Sequence, residues 1–397
     1  MSAAAGRIAD FLGLNRRITL LLSAIVLIGA GEETWMRFVP KYLEVLGASV
    51  FVIGLFDALK TLLGAIYAYP GGIAADRLGH RRALMAFTIA SLCGYGVVLA
   101  VPTWAGVIAG MFLFLAWTNL SLPATFSIVG THLPASKQAM GIGVQSLIRR
   151  NPVIIGPVVG GVLLDAFGVV EGVRIGVMIS VVLGAAAVLV QSRFPGQAEV
   201  VQEHRFGLVG VIRGFNPELK RLLLSDILIR FCERIPFAWV VIYALDHIGI
   251  SASQLGLLVA LEMATAIVCY VPASAMADRF GKEPFVLATF VFFTLFPLSL
   301  IWARSFAALG VAFAIRGLKE FGEPARKALI ISLAPASNRG QTIGAYYLVR
   351  DLTVTAGSFL GAALWALSPE ANFWSAFAVG AAGTLIYRAS RRRIAVC

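Results

Sequence analysis

Long apolar runs separated by short clusters of Gly, Pro and charged residues recur from one end of the chain to the other. They lie near residues 17–44, 51–75, 82–102, 105–133, 138–165, 171–192, 222–246, 253–276, 284–303, 306–333, 341–367 and 371–388. A helix rises about 1.5 Å per residue, so about 20 apolar residues cross the hydrocarbon core of a bilayer. The pattern predicts an all-α membrane protein with twelve transmembrane helices. Its first run follows Arg16 and Arg17 and is far longer than a signal-peptide core, so it is expected to stay in the mature protein. One long polar break, Arg193 to Arg221, carries Pro195, Glu199, Glu203, His204, Arg205 and Pro217 and divides the runs six and six. The expected organisation is a six-helix bundle over 1–192, a cytoplasmic linker over 193–221 and a second six-helix bundle over 222–397.

The two halves resemble each other at an offset of 201 to 202 residues. Gly54, Pro70, Asp76, Arg77 and Gly79 map onto Gly256, Pro272, Asp278, Arg279 and Gly281, and Pro123, Pro134, Gly143, Arg149 and Gly156 onto Pro324, Pro335, Gly344, Arg350 and Gly357. Two parallel six-helix halves, related by a pseudo-twofold axis along the membrane normal, are an architecture of alternating-access transporters.

Composition narrows the class further. The chain is 59% hydrophobic and 14% charged, against about a quarter charged in a soluble domain, so a water-soluble globule is excluded. A net charge of +12 invites a nucleic-acid reading, but the distribution of the basic residues removes it. With the N-terminus in the cytoplasm, the loops and tails on that side hold nineteen Lys and Arg, and the opposite loops hold only Lys41, Arg174 and Arg304. That bias places both termini in the cytoplasm of a cell (inner) membrane protein, with anionic headgroups as the basic partners. Cys93, Cys232, Cys269 and Cys397 form no CxxC pair, and neither a disulfide framework nor a metal is expected. Nor is a cofactor or an enzyme: there is no GxSxG, HExxH or phosphate loop, and His80, His132, His204 and His247 sit at or near loops.

After the second run the chain reads GGIAADRLGHRR, residues 71–82, and its counterpart in the second half is SAMADRFGK, residues 274–282. This resembles the cytoplasmic loop motif of the major facilitator superfamily, with Gly72, Asp76, Arg77, Gly79, Arg81 and Arg82 in place and His80 where a basic residue is common. The resemblance implies that family's fold and a state-dependent charge latch, here Gly72, Asp76, Arg77, Gly79 and Arg81 with Asp278 and Arg279 in the second copy; a topological anchor is the alternative. GPVVGG, Gly156 to Gly161, is similar to the GPxxGG core of the drug/proton antiporter motif in the same superfamily. Pro152 stands where that motif has an earlier Gly, and Arg149, Arg150 and Asn151 precede it. A gating helix and plain close packing of small residues both fit this segment.

Charges at bilayer depth carry the candidate chemistry. They are Glu32, Glu33 and Arg37; Asp57 and Lys60; Arg149 and Arg150; Arg230, Glu233 and Arg234; Glu262; Arg316, Lys319, Glu320 and Glu323; and Arg350 and Asp351. At about 3 kcal/mol for each charge facing lipid, the set would cost on the order of 50 kcal/mol, several times a folding stability. They must pair or line a hydrated cavity. Glu33 with Arg37, Arg316 with Glu320 and Lys319 with Glu323 stand at i and i+4, and Asp57 with Lys60 and Arg230 with Glu233 at i and i+3, so each pair can neutralise itself on one helix face. Arg149, Arg150 and Glu262 have no such local partner, and the repeat sets Arg350 opposite Arg149 and Glu262 opposite Lys60.

Arg149 and Arg350, one from each half, can grip an anionic or zwitterionic group through bidentate hydrogen bonds; cross-helix ion pairing is the alternative. The candidate substrate-binding set is Arg149, Arg350, Glu33, Arg37, Lys60, Glu233, Glu320 and Glu323. Proton coupling needs a carboxylate that desolvation perturbs and a change of access relieves; the candidates are Glu262, first, then Glu33 and Glu323. The expected function is secondary active transport by a monomer, exporting a charged or amphiphilic organic solute in exchange for protons. Proton-coupled uptake of an organic anion or zwitterion, and a non-transporting receptor or scaffold, are the alternatives.

Overall fold

The computed structural model describes residues 16–121, 135–193, 208–335 and 339–394, and among them there is helix and no strand. The helices are α1 (Arg16–Met36), α2 (Val39–Val45), α3 (Val50–Leu78), α4 (His80–Ala100), α5 (Trp104–Phe114), α6 (Ala135–Ser192), α7 (Leu208–Arg213), α8 (Pro217–Arg234), α9 (Trp239–Ile242), α10 (Ala252–Phe280), α11 (Glu283–Trp302), α12 (Phe306–Leu318), α13 (Glu323–Leu333), α14 (Arg339–Leu367) and α15 (Pro369–Ile394), with a π-helical turn at Tyr243–His247. Among the described residues seven helical segments are long and apolar enough to cross a membrane. Val182, Leu189 and Val268 are about two-thirds exposed, a surface that suits lipid and not water.

Local chemistry sets the helix starts. Thr103 caps α5, Asn216 caps α8 ahead of Pro217, Ser305 caps α12, and Ser251 with Gln254 forms a capping box on α10. Proline also breaks what the hydropathy pattern shows as single runs. Span ten is two helices, because Pro324 has no amide hydrogen for the ladder and opens α13 instead. Its turn is held by Gly322, whose N–H donates to Thr289 Oγ1 at 2.6 Å. α6 is broken at Gly168, where φ is +79°.

The chain forms two compact units, residues 1–47 with 63–202 and residues 48–62 with 203–397. The sequence places a boundary in the polar stretch 193–221; the contacts divide the chain inside that stretch but assign 48–62, within the expected first bundle, to the second unit. The expected linker also contains helix, α7 and the start of α8. In the first unit Leu21, Ile25, Ile28, Phe87 and Trp117 form one core, while Trp35 meets Tyr95 and Phe114 edge-on. Ile229, Phe285, Phe290, Phe293 and Tyr346 belong to the core of the second unit.

Each unit contains the same helix crossing. In the first, a Cβ on Gly156 would fall on Glu33 and one on Gly160 on the Thr34 carbonyl, so α6 lies directly against α1. In the second, a Cβ on Gly357 would fall 3.3 Å from Phe231 and 3.4 Å from Arg234, and one on Gly361 on the Ile235 carbonyl. An offset of 201 residues carries every member of the first set, Gly156, Gly160, Glu33 and Thr34, onto Gly357, Gly361, Arg234 and Ile235. Glycines four apart let helix backbones approach closely, and this gives GPVVGG a packing role.

The loop motif is repeated in backbone shape as well. Gly79 has φ +75° and ψ 151°, and Gly281 φ +88° and ψ 154°, a region essentially confined to glycine. Arg77 ends α3, Arg81 opens α4 and Arg279 ends α10 beside these glycines, and the Arg279 guanidinium lies 5.3 Å from the Phe280 ring centre. The side chains of Asp76 and Asp278, and the surroundings of Gly72, lie outside the described residues.

Candidate functional site

Five helical elements of the second unit converge on a chain of ten charges that alternate in sign: Asp351, Arg350, Asp226, Arg326, Glu323, Arg230, Glu233, Lys319, Glu262 and Arg316. α8 supplies Asp226, Arg230 and Glu233 on one face, at spacings of four and three. α10 supplies Glu262, α12 and the turn after it Arg316 and Lys319, α13 Glu323 and Arg326, and α14 Arg350 and Asp351.

Arg326 is the most enclosed cation among the described residues, 1% exposed. Its Nε donates to Glu323 Oε2 at 2.9 Å, its Nη2 to Glu323 Oε1 and its Nη1 to Asp226 Oδ2. The first two bonds are the fork-on-carboxylate geometry that suits arginine over lysine. Asp226 Oδ2 also accepts from Tyr346 Oη at 3.0 Å and from Arg350 Nη1 at 3.5 Å. Arg350 donates through Nε to Asp351 at 2.7 Å and lies 4.6 Å from the Tyr347 ring centre.

Further along, Arg230 donates to Glu233 at 2.8 Å and to Glu323 at 3.3 Å, and Lys319 donates to Glu233 at 2.7 Å. Glu262, 2% exposed, faces Arg316 at 3.3 Å and Lys319 at 3.5 Å. Aromatic rings surround the Arg316 guanidinium, with Phe296 at 5.0 Å and Phe237 at 5.5 Å, a favourable setting for a desolvated cation. A separate pair in the same unit joins Asp57 to Arg234 at 3.0 Å, and Ser358 donates its hydroxyl to the other Asp57 oxygen.

Of the sequence candidates, Glu233, Glu262, Glu323 and Arg350 come together in this chain. Arg230 and Glu233 pair at the helical spacing the sequence shows. Asp57 engages Arg234, although its spacing points to Lys60. Lys319 reaches Glu233 and Arg316 reaches Glu262, since α12 stops at Leu318 and the turn at 319–322 removes the i, i+4 register with Glu320 and Glu323. Glu262 has no cation within a turn of it on its own helix, but the fold brings two from elsewhere. Lys60 and Glu320 are half-buried in the second unit, and Glu33 and Arg37 half-buried in the first. There Glu32 accepts from Thr118 Oγ1 at 2.6 Å. The Arg149 side chain lies outside the described residues.

Asp226, Arg326 and Tyr346 are central to the chain and absent from the sequence candidates. Asp226 carries a usable signal, four residues before Arg230 and inside the first apolar turns of its run. Among the described residues no group of three His, Cys, Asp or Glu is placed to hold a metal ion. A chain of alternating charges on several helices can exchange partners when those helices shift, and it presents both signs to a polar solute.

The family model described as Major Facilitator Superfamily matches residues 21–207 and 222–394. The multidrug resistance protein MdtG of Citrobacter koseri is 23% identical over 390 residues, covering 94% of this chain and 93% of that one, and MdtG of Escherichia coli O1:K1 is 21% identical over 389 residues, covering 94% and 93%. Among solved structures, a mutant of nucleoside transporter NupG aligns with a TM-score of 0.79 at 11% identity, over 95% of this chain and all of that one. A POT family transporter in complex with a thioalcohol-conjugated peptide aligns at 0.76 and 14%, over 93% and 94%. At these identities the structural likenesses speak to the fold.

Proposed function

The chain belongs to the Major Facilitator Superfamily, which makes it a multi-pass membrane transporter and not an enzyme, and from that premise we propose that it exports a charged or amphiphilic organic solute across the inner membrane by proton antiport. In this reading twelve helices cross the membrane, both termini are cytoplasmic, and the protein works as a monomer that alternates access. The receptor or scaffold reading gives way to the family. Export is supported by the MdtG relatives, named for multidrug resistance, and by the antiporter-like segment Gly156 to Gly161.

The observation that carries the coupling is how the buried carboxylates are shared. Glu233 lies between Arg230 and Lys319, Glu323 between Arg230 and Arg326, and Glu262 between Arg316 and Lys319. Protonating one of them releases cations that its neighbours take up, so proton uptake rearranges the chain. Glu262 is assigned the coupling proton because its cations stand at 3.3 and 3.5 Å, farther than the 2.7 and 2.8 Å at Glu233. Glu323, forked by Arg326, and Glu33 in the first unit are the second and third choices. Arg350, Glu233, Glu320 and Glu323, with Arg149, Arg37, Lys60 and Glu33, are assigned to the solute, and Asp76, Arg77, Arg81, Asp278 and Arg279, with Gly72 and Gly79, to the latch.

Proton-coupled uptake of an organic anion is the second reading, favoured by Arg350, whose bond to Asp226 is long at 3.5 Å and can be replaced by a competing anion while Asp351 keeps its hold on the guanidinium at 2.7 Å. The test is a proteoliposome assay with an imposed pH gradient. Solute moving against the protons supports antiport; solute moving with them replaces it by symport; solute flow indifferent to the gradient overturns coupling.

A further inference from the structure

A cavity of about 310 Å³ lies between the start of α8 and the end of α15, lined by Arg221, Ile386, Ala389 and Ser390. It shares no lining residue with the charge chain. Lys220 and Arg388 are exposed beside it, and Arg391, Arg392 and Arg393 follow on the last turns of α15. In contrast to the interior arginines, the Arg221 guanidinium has no carboxylate partner among the described residues. A positive group in the lining of a cavity, with no counter-ion among the described residues, suits an anion from outside.

The surroundings identify the anion's other half. Leu224, three residues into α8 from Arg221, is 50% exposed, and Leu385, four residues before Ala389, is 61% exposed. On the twelve-span reading proposed above, α8 enters the membrane from this end and α15 arrives at it, which sets both leucines about one turn deeper than the basic pocket. A ligand that fills both places has an anionic head and an apolar tail. We propose that this cavity binds the phosphate of an anionic phospholipid, with Arg221 on the headgroup oxygens and an acyl chain along Leu224 and Leu385. Basic pockets between helices at the membrane surface hold such headgroups, and each basic side chain contributes about 1 kcal/mol. The site is independent of the transported solute and of the direction of transport.

Native mass spectrometry of the full-length protein, released from detergent with bound phosphatidylglycerol, tests it. Retention of phosphatidylglycerol is expected to fall about fivefold in Arg221→Gln, the equivalent of that single contribution, to recover in Arg221→Lys, and to be lost in Ala389→Glu, which places a negative charge in the lining. Phosphatidylcholine retention is expected to be the same in all four proteins. Equal phosphatidylglycerol retention in the parent, Arg221→Gln and Ala389→Glu overturns the site. Displacement of the lipid by millimolar inorganic phosphate alone overturns the lipid assignment in favour of a soluble phosphate.

Discussion

Arg326 reaches Asp226 across two helices, from α13 to α8, and the two side chains are almost wholly withdrawn from solvent. Breaking such a pair from one side leaves the other charge buried and uncompensated, which costs about 3–5 kcal/mol. Asp226→Asn and Arg326→Gln are each expected to lower the melting temperature of the purified protein markedly. The double variant should lose less than the sum of the two; strict additivity would show that the pair does not act as one.

Glu262→Gln keeps the shape of the side chain and removes its titration. The variant is expected to exchange solute across proteoliposomes with no applied gradient, yet to ignore an imposed pH gradient. A gradient response equal to that of the parent would remove Glu262 from the coupling role and pass it to Glu323 or Glu33.

The two glycine crossings make paired expectations. Gly160→Ala and Gly361→Ala put a methyl group onto the carbonyls of Thr34 and Ile235, and each should destabilise by about 1–3 kcal/mol, the usual range for overpacking. Gly344, inside α14, is the control, because a methyl group added there would meet nothing within 4 Å. Gly344→Ala should stabilise by about 0.5–1 kcal/mol. Thermal unfolding in detergent checks all three, and a neutral result at both 160 and 361 would mean that the helices part easily there.

Gly79→Ala and Gly281→Ala force a Cβ into backbone angles that other residues avoid, at about 1–3 kcal/mol each. Both variants are expected to melt lower than the parent. If only one does, the two copies of the loop are not equivalent in the folded protein.

The helical class and the duplication were open to reading because they depend on composition and spacing, which the chain displays directly. The breaks were visible in part: Pro324 stands where the structure divides span ten, but hydropathy alone runs across it. Ion pairing was the least legible feature. Helical spacing identifies partners on one face, as for Arg230 and Glu233, and is blind to partners contributed by another helix, which is how Glu262 gains Arg316 and Lys319 and how Asp57 gains Arg234. The use of the Tyr346 hydroxyl is not legible from spacing either, because its partner Asp226 stands on another helix.

At the duplicated crossing the glycines meet backbone and the first side-chain carbons of the position beside them, so the charged end of that side chain is not what they touch. That position is Glu33 in one copy and Arg234 in the other. The repeated frame therefore carries opposite charges at equivalent places while the close approach of the helices is kept.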